Sequence, residues 1–141
     1  LKSTAFAIVN VDDAGYRIMI SDTAAKVNRV GWDVDADYQL MDEEIDHNGS
    51  TFIIEEGEIK HNINSPLVAQ FNIVNLSLSL VAVAKLCNVE LSLLIGDLSY
   101  ISSAPGRMER VPLSNGTIAI IDYAHTPDAL EKAGKACKEL I

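Results

Sequence analysis

Thr117-Ile118-Ala119-Ile120-Ile121-Asp122-Tyr123-Ala124-His125-Thr126-Pro127-Asp128-Ala129-Leu130-Glu131-Lys132 joins an apolar run to a capped helix and decides the reading of the fold. The first five residues are the kind of short β-branched stretch that parallel sheets bury on both faces. Thr126 is suited to cap a helix, and Pro127 to its first position, where a missing N–H costs nothing. Asp128 follows in the first turn, where the helix dipole favours an anion. Asp122 therefore falls at the carboxyl end of a strand, the edge at which open α/β sheets bind ligands.

Upstream, Ser102-Ser103-Ala104-Pro105-Gly106 reads as a linker and Asn115-Gly116 as a hairpin turn after a strand at 108–113. Residues 71–87 show alternation at Leu76, Leu78 and Leu80. Even so, Ile73, Leu76, Leu80, Val83, Ala84 and Cys87 make a helical stripe, and the unbroken length predicts a helix. A second stripe runs through Leu91, Leu94, Ile95, Leu98 and Ile101. Towards the N-terminus the pattern gives a buried strand at 5–11 and a short helix over Arg17–Ser21. A β-rich stretch then runs from Ala25 to Pro66, with strands at 27–32 and 38–45 and a hairpin of 51–55 with 58–64 around Glu56-Gly57. The chain thus divides near Pro105: residues 1–104 form the later part of one α/β domain, and residues 105–141 a linker and the start of a second.

The 141 residues are nearly half apolar, enough for a core, and carry a net charge of −9. That charge lies wholly in residues 1–104, with six basic against fifteen acidic residues; residues 105–141 have five of each. Neither part offers the concentrated basic face that nucleic acid requires. There is no run of eighteen apolar residues and no signal peptide, so no membrane partner is expected. Cys87 and Cys137, each on an apolar helical stripe, read as buried free thiols of a reducing cytoplasm. The missing initiating Met and a last helix still running at Ile141 suggest a piece of something longer.

Five polar residues stand out. Asn72 and Asn75 are three apart and share a helix face; their carboxamides suit an adenine edge, or merely a helix start. Arg107 follows Gly106 in the linker, either as a surface side chain or as a permanently charged fork for phosphate. Asp122 suits ribose hydroxyls or a turn's backbone amides. His125 could contact base or ribose, or be structural. Asp33, Asp35 and Asp37 with Glu44 imitate a calcium loop, but Tyr38 stands where that loop needs Gly, so a solvated acidic stretch is the better account.

Asp122–Lys132, preceded by Pro105-Gly106-Arg107-Met108-Glu109, closely resembles the Mur ligase family, and within it the MurE type. Phe71-Asn72-Ile73-Val74-Asn75 and Ala7-Ile8-Val9-Asn10-Val11-Asp12-Asp13 agree, while residues 14–66 match loosely. One departure is that Ala69-Gln70 precede the Phe-Asn pair where relatives usually carry Gly. The resemblance implies the later part of a central ATPase domain with a β-rich insert, then the start of a Rossmann-like C-terminal domain. It also implies ATP and Mg²⁺ as cofactors, and a UDP-MurNAc-dipeptide and an amino acid as partners. The reaction would pass through an acyl phosphate, with Asn72, Asn75, Arg107, Asp122 and His125 gripping ATP. No Gly-x-x-x-x-Gly-Lys-[Ser/Thr] phosphate loop occurs, nor the family's modified lysine, so this chain alone is expected to be inactive. A folylpolyglutamate synthase, another Mur member, or a non-catalytic Mur-like binding module are the alternatives.

Overall fold

The computed structural model describes residues 4–96 and 98–140. Its larger lobe is one five-stranded sheet, ordered β1 (Phe6–Asn10), β2 (Lys26–Gly31), β3 (Tyr38–Ile45), β4 (Ser50–Glu56) and β5 (Ile59–Ser65). β1, β2 and β3 run parallel; β4 and β5 continue antiparallel. The β-rich stretch is therefore continuous with the α/β sheet. The hairpin turn falls at Gly57-Glu58, one residue later than its pattern suggests, with Gly57 at φ +61°. The short helix α1 (Tyr16–Ile20) follows β1, and Tyr16 packs with Val9 and Val11.

The long run is indeed helical, as α2 (Gln70–Cys87). It is long and apolar enough to cross a membrane by length and composition. Here Ile73, Val74, Leu76, Leu80, Val81 and Ala84 are buried together with Val30, Leu40, Phe52, Ile54 and Ile63 of the sheet. Each of these side chains other than Ala84 contributes roughly 1.5–3 kcal/mol by leaving water. The buried face passes through Ser77, whose hydroxyl donates to the Ile73 carbonyl at 2.8 Å, and not through Val83 and Cys87. Cys87 is accordingly exposed in the last turn, and Cys137 is half-buried; both are free thiols. Asn88, in the left-handed conformation at φ +52°, ends the helix.

Among its described residues the stripe at 91–101 forms only a 3-10 turn, Leu91–Leu93. Leu91, Leu94, Ile95, Leu98 and Ile101 still pack on the core. Among residues 91–101, two serines and Gly96 favour turns over a helix interior.

The smaller lobe is a hairpin of β6 (Glu109–Pro112) and β7 (Ile118–Ile121) with the helix α3 (Pro127–Glu139). Asn115 Oδ1 accepts from the Thr117 amide at 3.1 Å and its hydroxyl at 2.6 Å, fixing the turn. β7 was expected in a parallel sheet, covered on both faces. Among the described residues it pairs only with antiparallel β6, and Ile118 and Ile121 stay close to half exposed. The start of α3 follows the sequence reading: Thr126 Oγ1 accepts from the Ala129 amide at 3.3 Å, and Pro127 occupies the first turn. Met108, Val68, Ala69 and Ala136 form a buried plug between the lobes, flanked by Phe71, Ile120 and Ala133.

Candidate functional site

Because β5 runs in the direction of β3, its end, Pro66 and the start of α2 all lie at the carboxyl edge of the parallel strands. The Gln70 side chain touches Glu43 there, at 3.4 Å. The linker and the second lobe fold over that edge and leave a cleft of about 430 Å³. Asn72, Asn75, Arg107 and Asp122 all line it, although fifty positions separate the first from the last. His125 does not. Its ring is exposed, with Nδ1 2.9 Å from the Tyr123 carbonyl oxygen and its centroid 5.0 Å from that of Tyr123.

Each wall is set by local chemistry. The Asn72 amide donates to the Val68 carbonyl at 2.8 Å, leaving its own oxygen for another donor. Ala69 precedes the helix at φ +78° and ψ 137°, and its carbonyl accepts the amides of Asn72 and Ile73 at 2.9 and 3.3 Å. Opposite, Gly106 takes φ +68° in a turn whose amide donates to Glu109 Oε2 at 2.8 Å. Met108 follows at φ +48°, and its side chain is buried in the plug. Arg107, between them, projects outward with its guanidinium 5.7 Å from the Tyr123 ring centre.

Asp122 ties the hinge to the end of the strand. Its Oδ2 accepts the Met108 amide at 2.9 Å and its Oδ1 the Ala124 amide at 2.8 Å, while the Tyr123 amide donates to the Gly106 carbonyl at 2.8 Å. Its turn role is thus real, and each carboxylate oxygen keeps a second lone pair towards the cleft. Leu67, Phe71, Ala129 and Ala133 supply apolar lining, and Lys132 a second cation. Lys132 pairs with Asp128 at 2.8 Å, an i,i+4 contact that holds its ammonium pKa above the ordinary value. The sequence reading missed these five. Lys132 closes the diagnostic stretch and lies one turn beyond Asp128. Leu67 gave no signal, and Phe71 appeared only as part of the Phe71–Asn75 resemblance, because it is the second lobe that makes them part of a cleft.

Four of the acidic residues outside the cleft are engaged locally. Asp12 accepts the Trp32 and Asp33 amides, Asp13 the Gly15 amide, and Asp33 the Asp35 amide. Asp37 holds Arg29 at 3.2 Å, which raises the guanidinium pKa. Among the described residues no group of three His, Cys, Asp or Glu could hold a metal ion.

No model of a known protein family matches the chain. Similarity to individual proteins is extensive. The chain is 37% identical over 143 residues to the UDP-N-acetylmuramoyl-L-alanyl-D-glutamate–2,6-diaminopimelate ligase of Trichormus variabilis, with 96% of this chain and 28% of that protein covered. A solved structure of a ligase of that name superposes with a TM-score of 0.79 at 30% identity, over 97% of this chain and 29% of the other. The ligase MurF from Thermotoga maritima, solved in complex with ADP, shares the fold at a TM-score of 0.77 and 20% identity, over 98% and 31%. The chain thus spans between a quarter and a third of the length of the curated relatives it matches.

In sequence and in fold this chain is similar, over nearly its whole length, to one segment of the Mur ligases. Within that family its curated homologues, at 30–37% identity, are the diaminopimelate-adding ligases, the MurE type.

Proposed function

We propose that the chain is the nucleotide-gripping segment of an ATP-dependent acid–amino-acid ligase that adds the third residue to UDP-MurNAc-dipeptide in the cytoplasm. The observation that carries this reading is the convergence of Asn72, Asn75, Arg107 and Asp122 on one cleft at the carboxyl edge of the sheet. A purine fits between Phe71, Leu67 and the alanines of α3, with the Asn72 and Asn75 carboxamides at its edge. Asp122 accepts a ribose hydroxyl through its remaining lone pairs. Arg107, in the linker, neutralises phosphate charge. His125, exposed beyond Tyr123, is assigned no contact. ADP bound to the MurF neighbour supports the same occupant.

ATP supplies the phosphoryl group; this chain's residues orient the nucleotide that carries it. Among the described residues there is no cluster of three His, Cys, Asp or Glu to hold Mg²⁺, and the sequence has no phosphate loop to hold the γ-phosphate in line. Magnesium and phosphoryl transfer therefore belong to parts of a longer ligase, with the boundary between the two domains near Pro105, and the chain alone is inactive. Identity of 37% with a diaminopimelate-adding ligase favours this over a folylpolyglutamate synthase.

Calorimetric titration with ADP tests the reading. Arg107→Ala should weaken binding roughly 10- to 100-fold, the worth of one or two charge-assisted hydrogen bonds. Unchanged affinity in both Arg107→Ala and Asp122→Asn would remove the assignment.

A further inference from the structure

Arg110, three residues beyond Arg107 on β6, crosses between the lobes. Its Nη2 donates to the Pro66 carbonyl at 2.7 Å, and its Nη1 donates to the His47 carbonyl. Those carbonyls belong to two separate segments of the larger lobe, and both segments are held in advance. Asp46 fixes the first, its Oδ1 accepting the Asn48 and Gly49 amides at 2.7 and 3.1 Å. Buried Ser65 fixes the second, accepting the Leu67 amide at 3.1 Å. Gly49 brings them together, since a Cβ there would lie 2.1 Å from the Ser65 carbonyl oxygen. Among the described residues Arg110 has no carboxylate partner, and its guanidinium meets this carbonyl pair instead. Only a planar fork with two diverging donors can take both acceptors at once.

What Arg110 holds decides its role. Pro66 immediately precedes Leu67, the first residue of the wall that continues through Phe71, Asn72 and Asn75. Arg110 itself sits on the strand that leaves the Gly106–Met108 hinge and pairs with β7, whose end carries Asp122. We propose that Arg110 is a positioning residue of the nucleotide cleft: by clasping the His47 and Pro66 carbonyls it sets the spacing between the asparagine wall and the Arg107–Asp122 wall. This rests on the nucleotide reading for its consequence and on geometry alone for the clasp.

The test compares wild type, Arg110→Lys and Arg110→Met in the full chain, with two readouts. One is ADP affinity. The other is the distance between spin labels at Cys87 in the larger lobe and at Lys138→Cys in the smaller, in a Cys137→Ser background. Arg110→Met should broaden the distance distribution and weaken ADP by about tenfold, one charge-assisted bond's worth. Arg110→Lys, reaching one carbonyl, should fall between. A merely stabilising arginine would lower the melting temperature and leave both readouts unchanged; that result overturns the proposal. Should Arg110→Met fail to unfold cooperatively, an unchanged distance in Arg110→Lys overturns it equally. Absence of ADP binding by the wild type would sink the nucleotide reading, while the distance measurement still decides the clasp.

Discussion

Ala69→Gly should be neutral or slightly stabilising, against the rule for a buried alanine. Ala69 is 1% exposed, at φ +78° and ψ 137°, a region that Cβ makes unfavourable for any residue but Gly. Holding a non-glycine residue there costs about 1–3 kcal/mol, which Gly releases. Against this, the buried methyl group contributes about 0.8 kcal/mol through its packing with Val68, Met108 and Ala136. Gly also adds about 0.4–1 kcal/mol of unfolded-chain entropy. The central values leave roughly +0.5 kcal/mol, or about 1–2 °C in melting temperature. Ala84→Gly is the control. It is equally buried but in the α2 interior, and should lose about 1.8 kcal/mol, the sum of methyl and helix-propensity terms. Urea unfolding with an unchanged slope measures both. If Ala69→Gly lost a kilocalorie or more, as the control does, the backbone at 69 would not be strained. The resemblance already marks this stretch as one where relatives carry Gly. The structure supplies the reason, since the residue must turn the chain from Val68 into a helix whose first turn faces the cleft.

Gly49→Ala should cost at least about 2–4 kcal/mol, because the new Cβ would meet backbone, the Ser65 carbonyl oxygen, at 2.1 Å; a chemical-denaturation midpoint near wild type would refute the packing. Tyr38 is 5% exposed and donates to Glu56 Oε1 at 2.8 Å, and burial, then that carboxylate, hold its pKa far above the usual value near 10. The folded state keeps its proton longer than the unfolded one. The contribution is therefore complete below pH ~10 and falls above it by up to ~1.4 kcal/mol per pH unit. Tyr38→Phe should flatten that alkaline slope, and an identical pH profile would count against the buried hydroxyl. Thr126→Ala removes the acceptor for the Ala129 amide and should cost about 1 kcal/mol by thermal melting; no change would mean the cap is idle.

Which features were legible follows from how local their causes are. The start of α3 was readable because Thr126, Pro127 and Asp128 act within one turn. α2 was readable from its length, though not its buried face: the stripe drawn through Val83 and Cys87 ignored Ser77, a polar residue that the helix satisfies internally. The 91–101 stripe misled because apolar side chains can line a core from an irregular segment as well as from a helix. β7 looked doubly buried because its composition reports hydrophobicity and not which strand pairs with it. The cleft divides in the same way. Arg107 and Asp122 stood out as a cation after Gly and an acid at a strand end, whereas Leu67, Phe71 and Arg110 gain their meaning from the opposing lobe.

Asp122 shows why two readings of one residue need not compete. Read as a turn residue it should bond backbone amides, and it does so with both oxygens, at 2.9 and 2.8 Å. Read as a ligand residue it should face the cleft, and it lines it. Under the proposed function the first role serves the second. A carboxylate fixed by the Met108 and Ala124 amides has lost its rotamer freedom during folding, so none remains to be lost when a hydroxyl arrives. Because one of those amides belongs to the residue after Arg107, the acid and the cation are set at a defined separation before any ligand enters. Arg110 extends the same logic across the interface, from the hinge to the carbonyls that lead into the asparagine wall. The cleft is thus held by three side chains that bond backbone, Asn72, Asp122 and Arg110, each of a charge or amide type the sequence displays and with partners it does not.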